Sequence, residues 1–241
     1  MWIKLALQKT ILGSRFGRRC VFPVLRFISL KKFTSSQQYW EQRYANDGNS
    51  GDGSYGRLAE YKAGYLNAFV KEKKISSVLE FGCGDGNQLA YATYPRYLGL
   101  DVSASAVRRC IRRFSGDATK SFFAYNPRAF YDGQNVFSAE LGLSLDVIYH
   151  LVEDEVFELY LEHLFSSATS WVVIYSSNHD CIDTLAHVRH RKFTEFIHRA
   201  FPAWKLVDEI ENKFNHELGV EQTSFANFYV YKKIHADYNA E

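Results

Sequence analysis

Three closely spaced glycines give this sequence of 241 residues its clearest candidate for a ligand-binding loop. Gly82, Gly84 and Gly86 follow the run "SSVLEF", in which Glu80 is the one charged residue, and Asp101 ends the next such run, "RYLGLD". Glycine lets a ligand approach the backbone closely, and a glycine loop that follows a strand is a common cofactor site. The spacing therefore predicts a bound cofactor at this loop.

The kind of cofactor follows from what the loop contains and lacks. A dinucleotide-binding loop has the spacing G-x-G-x-x-G, whereas this loop has G-x-G-x-G. The segment "GDGNQL" also lacks the Gly-Lys-Ser/Thr of a Walker-type phosphate loop. Asp85 lies among the loop amides, where its charge would repel a pyrophosphate. A cofactor with a cationic centre and an ammonium group suits the loop better.

Alternating strand and helix patterns surround the loop and must position it. Strands are predicted at "SSVLEF", "RYLGLD", "KSFFAY", "LGLSLDVIYHL" and "SWVVIYSS", and two closing strands at "WKLVDEIENKF" and "FANFYVYKKI". Helices are predicted from Tyr55 to Lys73 and at "NQLAYATY", "SASAVRRCIRRF", "EDEVFELYLEHLF" and "HVRHRKFTEFIHRAF". The fold class is α/β, a Rossmann-like doubly wound sheet with an antiparallel hairpin at one edge. Such sheets bind ligands at the carboxyl ends of their strands.

The overall composition, 46% apolar and 23% charged, is typical of a globular protein. No apolar run reaches 18 residues, so no span of a bilayer is predicted. The four cysteines lack paired or metal-type spacing, which favours reduced thiols in a cytoplasmic location. Residues 1–40 carry eight basic side chains and no acidic one, which leaves 21 basic against 27 acidic in the rest. This acidic body argues against a protein that binds nucleic acid over its whole surface.

Residues 1–40 are predicted to form a basic amphipathic N-terminal extension, followed by one domain at 41–241. The extension alternates bases with apolar residues and then continues as "VFPVLRFISLKK". Three interpretations stay open: a segment that lies on an anionic membrane surface, an organelle transit peptide, and a solvated extension packed on the body.

The membrane interpretation predicts peripheral contact through residues 1–32. The full chain should sediment with anionic vesicles at low salt and leave them at high salt, because salt screens the attraction of basic side chains to anionic lipids. Deletion of residues 1–32 should abolish sedimentation while leaving cofactor binding intact. A full chain that stays in the supernatant at low salt would contradict the prediction.

The segments "VLEFGCGDGNQL" and "YLGLD" resemble the first two motifs of the class I S-adenosylmethionine-dependent methyltransferases. The resemblance extends from Val78 to about Ser177. It implies S-adenosylmethionine as cofactor and the strand order 3-2-1-4-5-7-6, with strand seven antiparallel. It also implies that Asp101 accepts hydrogen bonds from the ribose hydroxyls and that Glu80 orients the loop and the amino end of the cofactor. The implied cofactor-binding residues are Tyr55, Arg57, Glu80, Gly82, Cys83, Gly84, Gly86, Asp101, Val102 and Asn126.

Two of these assignments concern opposite ends of the cofactor. Asn126 stands where the family often has an acid that contacts the adenine amine, and Asp117 is the alternative position. Tyr55 and Arg57 would face the methionine carboxylate. Residues 41–73, with the aromatic side chains Tyr39, Trp40 and Tyr44 near their start, would form a lid over the cofactor.

The resemblance implies that the segment after strand four, "SLDVIYHLVED", borders the methyl acceptor. His150 is the candidate general base because an imidazole titrates near neutral pH. Tyr149 would line the space around the methyl group that is transferred, and Asp146 would orient the segment. No metal is expected, although Asp146 with Asn178 or Asp180 is an alternative set of oxygen ligands for Mg²⁺.

A second cluster after strand five supplies the candidate acceptor-binding residues His187, Arg189 and His190, since arginines there could clamp a phosphate or carboxylate. The segments "YWEQRYANDGNSGDGSYGRLAEYKAGYLNAF", "SLDVIYHLVED" and "HVRHRKFT" also resemble bacterial methyltransferases associated with surface-polysaccharide genes. The sequence therefore predicts a methyltransferase acting on an oxygen of a small-molecule or saccharide acceptor. The alternatives are an RNA or protein methyltransferase, supported by the arginines of 108–113 and the basic extension, and a non-catalytic member of the fold that acts as an assembly partner.

Overall fold

Seven strands form one mixed sheet in a computed structural model that describes residues 33–183, 185–214 and 222–234. The strands are β1 (Val78–Phe81), β2 (Tyr97–Asp101), β3 (Lys120–Ala124), β4 (Ala139–Leu145), β5 (Ala168–Ser176), β8 (Trp204–Ile210) and β9 (Asn227–Lys233). A separate small hairpin consists of β6 (Cys181–Ile182) and β7 (Arg189–His190). The extension at 1–32 lies outside the described residues.

The order of the sheet is β3-β2-β1-β4-β5-β9-β8. The first five strands are parallel, whereas β9 runs antiparallel to both β5 and β8. This is the predicted 3-2-1-4-5-7-6 order with an antiparallel seventh strand, and it confirms the predicted fold class. The order reverses at β1 and β4, so the carboxyl ends of these strands flank the crevice where such sheets bind ligands.

The helices are α1 (Ser36–Ala45), α2 (Gly56–Glu72), α3 (Ala104–Arg113), α4 (Asp154–Ser167) and α5 (Phe193–Ala200). Ser103 starts α3 as its N-cap, with its hydroxyl accepting from the amide of Ala106. Acidic Asp154 and Glu155 occupy the first turn of α4, where the helix dipole favours negative charge. Buried apolar residues of α2, α3, α4 and α5 belong to the two core clusters that cover the sheet. Within the described residues, no helix is long and apolar enough to cross a membrane.

Two predicted helices differ in the structure. "NQLAYATY" forms only a short 3-10 turn at Gln88–Tyr91. The helix predicted at 187–201 is confined to Phe193–Ala200, and its first part is strand β7. The difference arises because His190 and the arginines beside it bind distant partners, which a local pattern does not reveal.

Helix α1 crosses the boundary predicted at residue 40, since it extends from 36 to 45. Residues 33–55, which comprise α1 and the loop before α2, are called the cap segment from here on. The cap segment lies over the carboxyl ends of β1 and β2, where it contacts the glycine loop and α3.

Candidate active site

The glycine loop leaves β1 with all three glycines in a left-handed backbone conformation. The φ angles are 87° at Gly82, 57° at Gly84 and 75° at Gly86, a region that glycine tolerates and other residues rarely adopt. Space is restricted as well, because a Cβ atom on Gly82 would lie 2.4 Å from Cγ2 of Val147 and one on Gly84 would lie 2.4 Å from Oγ of Ser50. Both the turn and the close neighbours therefore require glycine.

Asp85 fastens the cap segment to the glycine loop. Its Oδ2 accepts from the backbone N–H of Ser50 at 3.0 Å and from the hydroxyl of Tyr55 at 2.7 Å, while its own N–H donates to Oγ of Ser50 at 3.0 Å. Burial raises the pKa of Asp85, but hydrogen bonds from Tyr55, Asn87 and Ser50 outweigh burial and leave the pKa below its ordinary value. Tyr55 thus touches the loop through Asp85 and does not line the cleft.

Two buried carboxyl groups, Asp101 and Glu80, face the cleft beside the loop. Asp101 accepts from the N–H of Gly84 at 2.9 Å and of Ser103 at 2.8 Å, and Glu80 accepts from the hydroxyl of Tyr97 at 2.6 Å. Burial raises the pKa of Asp101 to about 6 and that of Glu80 to about 7. A cationic ligand group in the cleft would be stabilised by these carboxylates and would lower both pKa values.

The cleft extends from the glycine loop past Asp101 to the start of α4 and encloses about 960 Å³, part of it continuous with solvent. Cys83 and Val102 line it together with Gly82 and Gly84. Gln88 is buried at its edge, with Nε2 donating to the carbonyl of Ala59 and Oε1 without a partner among the described residues. An orphan acceptor of this kind suits a ligand that carries a donor.

The predicted adenine contacts lie elsewhere. Asn126 is exposed, and its Oδ1 accepts from the N–H of Arg128 at 3.1 Å, which starts a 3-10 turn. Asp117 precedes β3 at the opposite end of the sheet, where it binds Thr119 and Lys120. Neither side chain lines the cleft, whereas Tyr125 and Pro127, the neighbours of Asn126, do. The segment after β3 therefore reaches the cleft through Tyr125 and Pro127 and not through the side chain of Asn126.

His150 follows β4 in a short 3-10 turn and lines the cleft. Its Nδ1 lies 3.0 Å from the backbone carbonyl of His187, and a carbonyl only accepts, so Nδ1 carries the proton and Nε2 is the basic nitrogen of the neutral ring. The ring packs edge-on against Trp40, at 4.9 Å between centroids. Burial lowers the pKa of His150 to about 4. The imidazole is therefore neutral at physiological pH, as a general base must be.

Asp146 and Tyr149 form a buried network with Lys62 of α2. The Nζ of Lys62, whose side chain is 0% exposed, lies 2.5 Å from Oδ2 of Asp146, and the hydroxyl of Tyr149 donates to Oδ1 of Asp146 at 2.9 Å. Asp146 has a φ of 60°, and burial raises the pKa of Tyr149 well above its ordinary value. Asp146 thus connects the segment after β4 to α2 through Lys62 and contacts Tyr149 within that segment.

The arginines predicted to bind ligand are engaged elsewhere. Arg57 donates to the carbonyl of Gln222 at 2.8 Å and stacks 4.6 Å from the ring centroid of Phe214, on a different groove from the cleft. Arg189 donates to the carbonyl of Val152 at 3.1 Å and pairs with Asp154. The structure therefore places Arg57 away from the cleft, and Arg189 holds the segment before α4.

The histidines of the second cluster divide between two places. His187 stacks on Tyr39 at 4.1 Å between centroids and lies beside His150, and burial lowers its pKa to about 4. His190 is buried, with Nδ1 2.6 Å from Oγ of Ser177. His187 thus belongs to the surroundings of His150, whereas His190 supports the β6–β7 hairpin.

The alternative magnesium ligands do not converge. Asp146 is occupied by Lys62 and Tyr149, Asn178 binds Thr194, and Asp180 accepts from the N–H of Lys192 at 3.1 Å. In the described parts of the chain, no group of three or more His, Cys, Asp or Glu side chains is arranged to hold a metal ion.

Two residues around the site, Lys62 and Glu41, were absent from the sequence predictions, and a third, Trp40, was given a different role. Lys62 interrupts an apolar helical stripe between Leu58 and Leu66, and a lysine at such a position indicates a buried partner. Trp40, named only as a lid aromatic, packs on His150. Glu41 had no local signal, because its partners lie 62 to 64 residues away.

Comparison with known proteins adds a sequence relative and several structural ones. No protein-family model matches the chain. The small RNA 2'-O-methyltransferase of Arabidopsis thaliana is 26% identical over 112 residues, which cover 42% of this chain and 12% of that protein. The chain therefore spans a small part of the length of the curated relative it matches.

Solved structures of three methyltransferases are similar in fold. NodS, an N-methyltransferase from Bradyrhizobium japonicum in complex with S-adenosyl-L-homocysteine, gives a TM-score of 0.64 at 16% identity and covers 83% of this chain and 99% of that one. Magnesium protoporphyrin IX methyltransferase from Synechocystis with bound SAM gives 0.59 at 12% identity, with coverages of 84% and 99%. The methyltransferase domain of a bacterial Hen1 gives 0.58 at 19% identity, with coverages of 74% and 100%. The chain has the Rossmann-like fold of class I S-adenosylmethionine-dependent methyltransferases.

Proposed function

We propose that this protein is an S-adenosylmethionine-dependent methyltransferase. The observation that carries the proposal is the glycine loop with positive φ at Gly82, Gly84 and Gly86, which opens on a cleft beside the buried carboxylates of Glu80 and Asp101. Cofactor-bound NodS and the Synechocystis enzyme share the fold, which supports the same cofactor here.

The residues of the cleft fit this cofactor. Asp101 would hold the ribose hydroxyls, because it ends β2 and lines the cleft. Glu80 and the unpartnered Oε1 of Gln88 would accept from the ammonium group, and their combination of negative charge and acceptor atoms suits a cation. S-adenosylmethionine supplies an electrophilic methyl group on a sulfonium, so the protein needs only to position an acceptor and remove its proton.

His150 is proposed as the acceptor-side base, and an oxygen as the atom that is methylated. Nε2 of the neutral imidazole can take the proton of a hydroxyl, and the Nδ1–H bond to His187 stabilises the tautomer that leaves Nε2 unprotonated. Trp40 and Tyr149 contact the ring, with 4.9 and 4.5 Å between centroids, and reduce its exposure to water. A hydroxyl acceptor needs such a base, whereas a neutral amine does not.

The acceptor proposed here is a small molecule or a saccharide. Three of the four α3 arginines that would favour RNA are engaged: Arg108 donates to the hydroxyl of Ser105, Arg109 to the carbonyls of Tyr44 and Gly48, and Arg113 to Asn87. A second candidate is an RNA hydroxyl, favoured by the likeness to the Arabidopsis small RNA 2'-O-methyltransferase. The test is a panel of saccharides, small hydroxyl compounds and short RNAs, with release of S-adenosylhomocysteine as readout. The compound that causes release identifies the class of acceptor, and a non-catalytic protein would cause none.

Replacement of Asp101 by alanine tests the cofactor assignment. The wild-type protein should bind S-adenosylhomocysteine at micromolar level and should not bind NAD. The variant should bind it at least tens of times more weakly, because charge-assisted hydrogen bonds to two ribose hydroxyls are lost, each worth roughly 1.5–3 kcal/mol in gross terms before solvation of the freed hydroxyls offsets part of the loss. Isothermal titration calorimetry measures the affinities.

Asp117→Ala provides the matched control, since Asp117 lies at the far end of the sheet from the cleft. Its affinity should equal that of the wild type. Unchanged affinity in Asp101→Ala would refute the ribose assignment, and a wild-type protein that binds no S-adenosylmethionine would refute the proposed function itself.

A further inference from the structure

We propose that Glu41 is a positioning residue that latches the cap segment over the cofactor and couples cofactor exchange to the placement of His150. This inference rests on the proposed function, because the ligand that enters and leaves the cleft is taken to be S-adenosylmethionine or S-adenosylhomocysteine. Glu41 itself does not line the cleft. It acts through the elements that it joins.

Glu41 of α1 binds the N-terminal turn of α3 with both carboxylate oxygens. Its Oε2 accepts from the hydroxyl of Ser103 at 2.7 Å and from the N–H of Ser105 at 3.1 Å, and its Oε1 accepts from the hydroxyl of Ser105 at 2.6 Å. Hydrogen bonds from Ser103 and then Ser105 lower the pKa of Glu41, so the group stays ionised near neutral pH. A carboxylate at the N-terminus of a helix is also favoured by the helix dipole.

The same contact is connected by hydrogen bonds to Asp101 and the glycine loop, the part of the cleft assigned to the cofactor. Ser103 donates its hydroxyl to Glu41 and its backbone N–H to Oδ1 of Asp101. Asp101 in turn accepts from the N–H of Gly84 in the glycine loop. One chain of hydrogen bonds thus joins the cap segment, the carboxylate assigned to the ribose and the glycine loop.

The residues immediately before Glu41 reach the acceptor side. Trp40 packs against the ring of His150 with 4.9 Å between centroids, and Tyr39 stacks on His187, whose carbonyl binds Nδ1 of His150. The hydroxyl of Tyr39 also lies 3.2 Å from Nε2 of His187. One turn of α1 therefore contacts the cofactor side through Glu41 and the base through Trp40 and Tyr39.

Other contacts show that the described cap segment is closed. Ser36 donates its N–H and hydroxyl to Glu153 at 2.9 and 2.6 Å. Arg109 donates to the carbonyls of Gly48 and Tyr44. Ser36, Trp40 and Tyr44 also line the cleft, so the cap segment forms part of its wall and would contact a cofactor bound there. Loosening the Glu41 contact should therefore accelerate exchange in both directions.

The test measures exchange of labelled S-adenosylmethionine and needs no acceptor. Protein loaded with the labelled cofactor is chased with excess unlabelled cofactor and collected on filters over time. Glu41→Ala should dissociate about tenfold faster than the wild type, because three hydrogen bonds to a partly exposed carboxylate are lost. Association should also accelerate, so Kd rises by less than tenfold. Glu41→Gln should lie between them, because an amide oxygen still accepts.

Glu158→Ala is the matched control, since Glu158 is an exposed acid on α4, and its rates should equal those of the wild type. A dissociation rate unchanged in Glu41→Ala would overturn the proposal. So would faster dissociation with slower association, because that combination indicates a damaged cleft and not an opened one. If the wild-type protein does not retain labelled cofactor, the result contradicts the proposed function itself. An effect on the latch alone appears only in the comparison of Glu41→Ala with the wild type.

Discussion

Replacement of His150 by alanine is expected to lower turnover by about 10²–10⁴-fold while cofactor affinity stays within a few-fold of wild type, because general-base assistance is typically worth this much. The unprotonated Nε2 beside the cleft is the group removed. Initial rates of S-adenosylhomocysteine release with an acceptor from the panel, and calorimetric affinity for the cofactor, measure the two effects. His198→Ala is the control, since His198 is exposed on α5.

The pH profile adds an independent check on the same residue. The pKa of His150 is lowered to about 4 by burial, so the imidazole is neutral above that pH and charged below it. Turnover should be flat from about pH 8 to pH 5 and fall near pH 4, and this fall should be absent from His150→Ala. Full activity in the variant would point to an acceptor that is already nucleophilic, such as an amine. Loss of activity in EDTA with recovery in Mg²⁺ would indicate instead that a Mg²⁺ ion held by Asp146 with Asn178 or Asp180 assists the reaction.

Replacement of Lys62 by methionine is expected to destabilise the protein by about 3–5 kcal/mol, the usual cost of removing one partner of a buried ion pair. The side chain of Asp146 is 10% exposed and that of Lys62 is 0% exposed, so the variant leaves a carboxylate without its cation and away from water. Urea unfolding followed by circular dichroism measures the change in the free energy of unfolding.

Two further variants keep this expectation testable. Lys71→Met, on the exposed side of the same helix, should change stability by less than about 0.5 kcal/mol. The double variant Lys62→Met with Asp146→Asn should recover part of the loss, because no unpaired charge is buried. A single variant as stable as the wild type, or a double variant less stable than the single one, would refute the role of the pair.

Much of the fold follows from local signals in the sequence. The glycine spacing, the position of Asp101 and the two closing strands all depend on neighbours in the chain, and the structure confirms the sheet order that the family resemblance carried by these motifs implies. His150 and Asp146 lie at the cleft because the carboxyl ends of parallel strands meet at one edge of a sheet.

The orientation of long polar side chains did not follow from the sequence. Arg57 binds Gln222, which is 165 positions away, and Arg189 binds Val152, which is 37 positions away. Asn126 binds a local amide, since Asn favours turns of this kind. A motif fixes where a residue leaves its strand, whereas the direction of its side chain depends on partners that come together only in the folded chain.

The antiparallel strand β9 has a consequence for synthesis on the ribosome. Residues 227–233 pair with β5 on one side and with β8 on the other, and β8 has no other partner among the described strands. While these residues are still inside the ribosome, the nascent chain exposes one edge of β5 and an unpaired β8. Unpaired strand edges bind other chains. We therefore expect chains truncated before residue 227 to aggregate, even though the glycine loop, Asp101 and His150 would all be present.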